Sequence, residues 1–206
     1  MIFKTLAMSA MLSAMSLNAV PITYMWQTTA TGTIGTIAFE NTSVTITATA
    51  DTSNVVFHAG FYYNFADTAM VTIAGIGTLP FTSQELVYSD PLGHGSLGPG
   101  VGIGTVINHN PPEINGVNLA AYDPIFLSYD LALPFGRAPG ISFASSGGIG
   151  LEGRGVTSLG LLSLPFSNPN PTTFTATTAA PEPNPLLITA AGLALIAVRK
   201  KRNVST

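Results

Sequence analysis

The stretch Val44-Thr45-Ile46-Thr47-Ala48-Thr49 alternates apolar side chains strictly with threonines. A period of two places all the apolar side chains on one face of an extended strand, whereas a helix needs a period near 3.6. Threonine and β-branched residues also favour strands. This stretch therefore predicts a half-buried β-strand whose outer face is neutral and covered by threonine.

The same period of two recurs in three longer runs, at 55–65, 101–107 and 125–133. The first run would place one set of apolar side chains on a single face: Val55, Phe57, Ala59, Phe61, Tyr63 and Phe65. The third would do the same with Ile125, Leu127, Tyr129, Leu131 and Leu133. Shorter candidate strands lie at 24–28, 33–39, 71–76, 85–88, 156–164 and 173–177.

Turn-forming residues separate these runs, at 51–54, 90–93, 108–112, 138–140 and 145–148. No convincing helical stripe interrupts the pattern. We therefore predict an all-β domain over residues 20–178, with about eight to ten short strands in an antiparallel β-sandwich or jelly-roll-like arrangement. A closed barrel is the alternative.

Charge is scarce and unevenly placed. Only 8% of the 206 residues are charged, and between Val20 and Thr178 two basic residues face nine acidic ones, a net charge of −7. Such a domain repels phosphate backbones, which excludes nucleic-acid binding. The chain has no cysteine, so disulfides and cysteine metal sites are excluded as well.

The first nineteen residues have the layout of a secretory signal peptide. Lys4 is followed by a mostly apolar, uncharged run from Leu6 to Leu17, and then by Asn18 and the small residue Ala19. We predict cleavage after Ala19, with Ser16 as the second choice. The expected route is the Sec export machinery followed by signal peptidase.

The C-terminal segment 179–206 has the layout of a second targeting signal. Pro181-Glu182-Pro183 is followed by thirteen uncharged residues, Leu186 to Val198, and then by four cations: Arg199, Lys200, Lys201 and Arg202. A helix over 186–198 would span about 20 Å, short for a hydrocarbon core of about 30 Å. The cations predict a cytoplasmic end, so the domain would lie outside the membrane with a single C-terminal transmembrane helix.

This order of motif, apolar segment and basic tip closely resembles the PEP-CTERM sorting signal of Gram-negative bacteria. The resemblance covers residues 181–206, and implies that an exosortase-type membrane enzyme is a partner that cleaves near the motif. Two departures affect the cut site: Asn184-Pro185 adds a third proline, and four residues follow the basic tip. The resemblance implies inner-membrane anchoring, then a cell-surface or extracellular location, and no activity.

Few residues in the domain suggest chemistry. Trp26 and Tyr62 are candidates for stacking on a sugar ring, although aromatic residues more often lie in the core. Asp90, His94, Ser96 and His109 are the only assortment resembling a catalytic site, and no G-x-S-x-G nucleophile elbow accompanies them. Gly93 to Gly98 spells G-x-G-x-x-G without the strand and helix that a nucleotide site requires.

The acidic loops offer oxygen ligands to structural calcium, at 51–54 and at Asp90, but the same residues commonly cap turns. We therefore expect no cofactor and no enzymatic activity. The leading hypothesis is an exported protein of the cell surface or extracellular matrix. The alternatives are a carbohydrate-binding module for an extracellular polysaccharide and, third, a secreted hydrolase.

Overall fold

The computed structural model describes residues 19–94, 98–143, 155–164 and 170–179. These contain thirteen β-strands and two short 3₁₀ turns, Thr52–Asn54 and Pro124–Phe126. The strands are β1 Pro21–Ile34, β2 Ile37–Asp51, β3 Val56–His58, β4 Phe61–Phe65, β5 Thr68–Ile73, β6 Gly77–Pro80, β7 Glu85–Asp90, β8 Gly100–His109, β9 Pro112–Tyr122, β10 Phe135–Phe143, β11 Val156–Thr157, β12 Gly160–Ser163 and β13 Thr172–Thr178.

The predicted signal peptide, apart from Ala19, and the segment 180–206 lie outside the described residues. That segment includes the Pro-Glu-Pro motif, the apolar run 186–198 and the basic tip 199–202. Within the described ranges, no helix is long and apolar enough to cross a membrane.

Hydrogen-bonded strand pairs, all antiparallel, run in the order β3-β4-β7-β8-β9-β10-β13-β1-β2-β5-β6. We call β13-β1-β2-β5-β6 the β1 half and β3-β4-β7-β8-β9 the β8 half. Strand β10 joins them, because it pairs with β9 at one end and with β13 at the other. Strands β11 and β12 form a hairpin against the end of β1.

The two halves share one hydrophobic core. Ile22, Trp26 and Ile46 of the β1 half and Val101 and Ile103 of the β8 half are fully buried in the same cluster. The Trp26 indole donates a hydrogen bond to the Val101 carbonyl at 3.2 Å, which links the halves directly. The observed fold is therefore all-β and antiparallel, as predicted, and is consistent with a β-sandwich.

The threonine-alternating stretch lies in β2, which confirms its prediction. Val44, Ile46 and Ala48 are fully buried, and the threonines between them are half-buried on the outer face. Because β1 and β2 pair over almost their full lengths, the same alternation fixes the register of the β1 half.

The prediction of one strand over 55–65 is wrong. Ala59 and Gly60 adopt positive φ values of 51° and 90°, and the chain reverses there into the β3–β4 hairpin. A two-residue turn with positive φ at both positions matches the twist of a hairpin. Phe57 consequently faces Tyr62 rather than Phe61, and its side chain is 60% exposed. Phe57 does not belong to the core.

The strand predicted over 125–133 is also wrong. Asp123 accepts a hydrogen bond from the Ile125 amide at 2.9 Å, and Pro124 begins a 3₁₀ turn. A short polar cap followed by proline favours a turn over an extended strand. Tyr129 and Leu131 are buried, as expected, but Leu127 is 63% exposed.

Three strands were not anticipated: β6, β9 and β10. Strand β9 follows the expected turn at 108–112, and β10 contains Ala138-Pro139-Gly140, which we expected to break the chain. Pro139 pairs with Thr173 of β13 on one side only, because the pairing of β10 with β9 begins at Ile141. Proline within sheets is found mainly at such edge positions.

Candidate functional site

Three exposed apolar side chains, Phe57, Leu92 and Leu127, line a cleft of about 290 Å³ beside the β8 half. We call it the Phe57 cleft. Its lining comes from the β3–β4 hairpin, the loop after β7 and the loop after the second 3₁₀ turn: Phe57, Gly60, Tyr62, Pro91, Leu92, Leu127 and Ser128. None of these side chains is charged at neutral pH.

Phe57 and Tyr62 form the aromatic wall of this cleft. Their ring centroids lie 4.9 Å apart with a tilt of 49° between the ring planes. Leu92 and Leu127 are 66% and 63% exposed. Tyr62 is half-buried and packs against the shared core as well as against Phe57, so its stacking role stays a prediction. Phe57 was missed because it was assigned to the core. The Ala59-Gly60 turn was the signal that could have revealed it.

The stacking role suggested for Trp26 is contradicted by its burial. Its side chain is fully buried, and its ring packs against Phe174 at a centroid distance of 5.2 Å. Tyr24 lies beside both rings, and its hydroxyl donates to the Leu131 carbonyl at 2.7 Å. Trp26 is a core residue, so no face of its indole is open to a sugar.

Asp90 and His94 are brought together, as the catalytic interpretation requires. One Asp90 oxygen lies 2.8 Å from the His94 Nδ1 and accepts the Gly93 amide at 2.9 Å. The other oxygen accepts the His94 amide at 2.8 Å. The carboxylate is thus used by the backbone of its own loop, which is the capped-turn role. Ser96 lies outside the described residues.

The two loop histidines do not meet. The His94 ring stacks on Phe61 at 4.8 Å, and the His109 ring stacks on Phe65 at 4.9 Å. Phe61 and Phe65 are four residues apart on β4, which separates these positions by about 13 Å. The assortment of Asp90, His94 and His109 is therefore divided between the two ends of one strand.

Asp51, the other calcium candidate, caps the first 3₁₀ turn. Its Oδ1 accepts the Ser53 amide at 2.7 Å and lies 2.6 Å from the Ser53 hydroxyl. Among the described residues, no three His, Cys, Asp or Glu side chains are grouped as a metal site would require. A calcium site at 51–54 stays a prediction, and the capped turn is the observed arrangement.

A second surface lies on the outside of the β1 half, which we call the threonine face. Three rows of outward side chains cross its strands. Paired in register, these are Thr177-Thr23-Thr49-Thr68, then Thr175-Met25-Thr47-Met70-Pro80, then Thr173-Gln27-Thr45-Thr72-Thr78. All fourteen residues are exposed or half-buried, ten are threonine and none is ionisable.

At one end the threonine face continues into a polar groove of about 350 Å³. Its lining is again free of ionisable groups: Gln27, Thr28, Thr29, Ser43, Asn170, Pro171 and Thr173. The Asn170 side-chain amide donates to the Thr29 carbonyl at 2.8 Å, and the Thr28 hydroxyl donates to the Pro171 carbonyl at 3.2 Å. These contacts tie the segment before β13 to β1 and shape the groove.

Comparisons with known proteins add no relative. No family model, no curated protein and no solved structure matches the chain. The class defined by fold and surface is therefore an all-β antiparallel domain with two uncharged candidate binding surfaces.

Proposed function

We propose that this chain is an exported, non-enzymatic β-domain of the cell surface or extracellular matrix. The observation that carries the proposal is the sequence that follows the last strand. Strand β13 ends at Thr178, and Pro181-Glu182-Pro183, the uncharged run and the four cations follow in the order of a sorting signal. Only a few residues would then connect the β-domain to its sorting signal.

In this proposal the N-terminal segment directs the chain through the Sec machinery, and signal peptidase cleaves after Ala19. The helix over 186–198 then holds the chain in the inner membrane with the β-domain outside, until an exosortase-type enzyme cuts near Pro181–Pro183. A span of about 20 Å is short for a lasting anchor, which suits a temporary one.

Mass spectrometry of the C-terminus tests this proposal in cells that have the sorting enzyme. We expect wild-type protein to lack residues 186–206. Glu182→Ala should leave an uncut, membrane-bound chain, because the apolar run and its cations are unchanged. Replacing Arg199, Lys200, Lys201 and Arg202 with serine should give an uncut chain outside, because each cation contributes about 1 kcal/mol of attraction to the anionic leaflet. Wild-type protein that keeps residues 186–206 would contradict the proposal.

Carbohydrate binding is the second candidate function, and the Phe57 cleft favours it. Aromatic rings expose an apolar face and commonly anchor ligands in pockets of this kind. Phe57 and Tyr62 supply two such rings at the surface. They are the residues whose substitution would remove binding at this cleft.

A further inference from the structure

We propose that the threonine face, together with its polar groove, is a binding site for a neutral, extended polysaccharide. This inference rests on the proposed export of the domain, and it deepens the carbohydrate-binding candidate by assigning a different surface and a class of sugar. Three properties of the face carry it: its charge, the chemistry of its rows and their spacing.

The charge of the face selects the ligand. The segment between Val20 and Thr178 carries a net charge of −7, yet none of the fourteen residues in the three rows is ionisable. The lining of the adjoining groove is uncharged too. An anionic polysaccharide would find no cation here and would be repelled by the domain as a whole. A neutral polysaccharide is not repelled.

The rows differ in chemistry in a way that matches a sugar ribbon. The middle row contains Met25, Met70 and Pro80, whose apolar surfaces suit the C–H face of a pyranose ring. The two outer rows present hydroxyl groups at eight of nine positions, Gln27 being the exception. Hydroxyl groups both donate and accept, as the equatorial hydroxyls at the rim of a sugar do.

The spacing fits the same ligand. Successive rows are two residues apart along each strand, so the outer rows are separated by about 13 Å. Subtracting a hydrogen bond of about 2.8 Å at each side leaves about 7–8 Å. That width accommodates a flat pyranose ring with its equatorial hydroxyls. Along a row, neighbouring strands repeat every 4.7–4.9 Å, roughly the length of one sugar residue.

Two contacts within the face hold its hydroxyl groups in place. The Thr49 and Thr68 hydroxyls lie 2.6 Å apart, and those of Thr72 and Thr78 lie 2.8 Å apart. Each pair has one proton to spare and can still accept. β-Sheets twist by about 20–25° between neighbouring strands. A single flexible glycan chain can follow a twisted row, whereas the flat surface of a crystalline polysaccharide cannot match it. The ligand is therefore one extended glycan chain.

Affinity electrophoresis of the full chain tests the proposal, because a chain with a net charge of −3 migrates toward the anode in a native gel. One gel contains hydroxyethyl cellulose, a neutral β-linked glucan, and a second contains alginate, an anionic polysaccharide. We expect hydroxyethyl cellulose to retard the chain and alginate to leave it unaffected. Failure to be retarded by the neutral glucan would overturn the proposal while leaving the export result untouched.

Matched variants locate the site. The double substitution Thr23→Val, Thr45→Val removes one hydroxyl from each outer row while keeping side-chain shape, and should weaken binding about tenfold. The control Thr23→Ser, Thr45→Ser keeps both hydroxyls and should bind within about twofold of wild type. Equal thermal stability of the two variants would show that folding is not the cause.

A second pair, Phe57→Ala, Tyr62→Ala, separates the two candidate surfaces. For a site on the threonine face, the valine variant loses more binding to hydroxyethyl cellulose than this cleft variant does. If this cleft variant loses binding and the valine variant keeps it, the Phe57 cleft is the site and the proposal for the threonine face is overturned. Equal retardation by alginate would overturn the assignment of a neutral ligand.

Discussion

The outer faces of the two halves of the sheet differ, because one is exposed to water and the other is covered. On β2, buried and half-buried side chains alternate along Val44 to Ala50, and the outer face meets water. On β7, all six residues are buried. The reason is a second, smaller apolar cluster on the outside of the β8 half, formed by Tyr63, Leu86, Tyr88 and Ala120.

Glycine on β8 makes room for this second cluster. Gly102 pairs with Tyr88 and with Ala120, and a Cβ at Gly102 would lie 2.5 Å from the Tyr88 ring. Tyr88 therefore lies across the strand where an outward side chain would otherwise stand. Alternation in the sequence identifies the inward face, but the outward face is decided by which neighbours across the sheet leave space.

The largest expected effect comes from placing a charge on the buried face of β2. Ile46→Asp places an unpaired charge in the shared core, and the loss of several kcal/mol is a large part of a total stability of about 5–15 kcal/mol. We expect no folded protein by circular dichroism and chemical denaturation. The neighbouring substitution Thr47→Asp, on the threonine face, should cost about 1 kcal/mol or less. Equal losses for both would show that β2 does not have one buried face.

The strand assignments at Phe57 and Leu127 show why the aspartate substitution is placed at Ile46. From the sequence alone both side chains belong to the core, so aspartate at either would prevent folding. In the structure they are 60% and 63% exposed and lie in the Phe57 cleft, so that expectation is wrong. The periodic pattern does not show where the chain reverses.

A second prediction asks whether both clusters unfold together at high pH. Burial raises the pKa of Tyr24 and Tyr129 in the shared core, and of Tyr88 in the outer cluster, above the ordinary value of about 10. Ionisation therefore favours the unfolded chain, so the contribution of these tyrosines to stability is constant below about pH 10 and falls as the pH rises further. Tyrosinate absorbance and circular dichroism should change in one transition. A change in the circular dichroism in two separate steps would mean that the outer cluster opens independently.

The smallest expected effect concerns Gly102. Gly102→Ala forces the Tyr88 ring to move and should cost about 1–3 kcal/mol, measured as a lower midpoint of urea unfolding. Gly136→Ala is the matched control, because no atom lies within 4 Å of the added Cβ, and it should leave stability unchanged or raise it by about 0.4–1 kcal/mol. If Gly102→Ala leaves the urea midpoint unchanged, Tyr88 does not depend on the space at that position.

The sequence predicts the fold best where one face of a strand is exposed to solvent. The strict alternation of β2 yields strand, burial and register together, because only one register buries Val44 and Ile46. It fails on β10, where Pro139 normally signals a break and the strand is held by pairing with β13 and β9. Long-range pairing of that kind has no local signal in the sequence.

The candidate sites follow the same rule. Tyr62 lines the Phe57 cleft, but it is half-buried and packs against the shared core, whereas Phe61 and Tyr63, which the sequence assigns to the core face, pack in the outer cluster. Trp26 is not at the surface, since its burial depends on Phe174, almost 150 residues later in the chain. The threonine face was visible as neutral strands, whereas its arrangement in rows required the pairing of five strands.

The pairing of Ile22 with Thr178 places the first and last strands of the domain side by side, with the Ala179 amide donating to the Pro21 carbonyl at 3.2 Å. The two ends of the domain therefore lie close together. A short linker can join its two ends, and the chain can be reopened at a surface turn such as Gly75, which has open space around it. A circularly permuted domain, or one inserted within a loop of another protein, would retain every strand pair of the native arrangement.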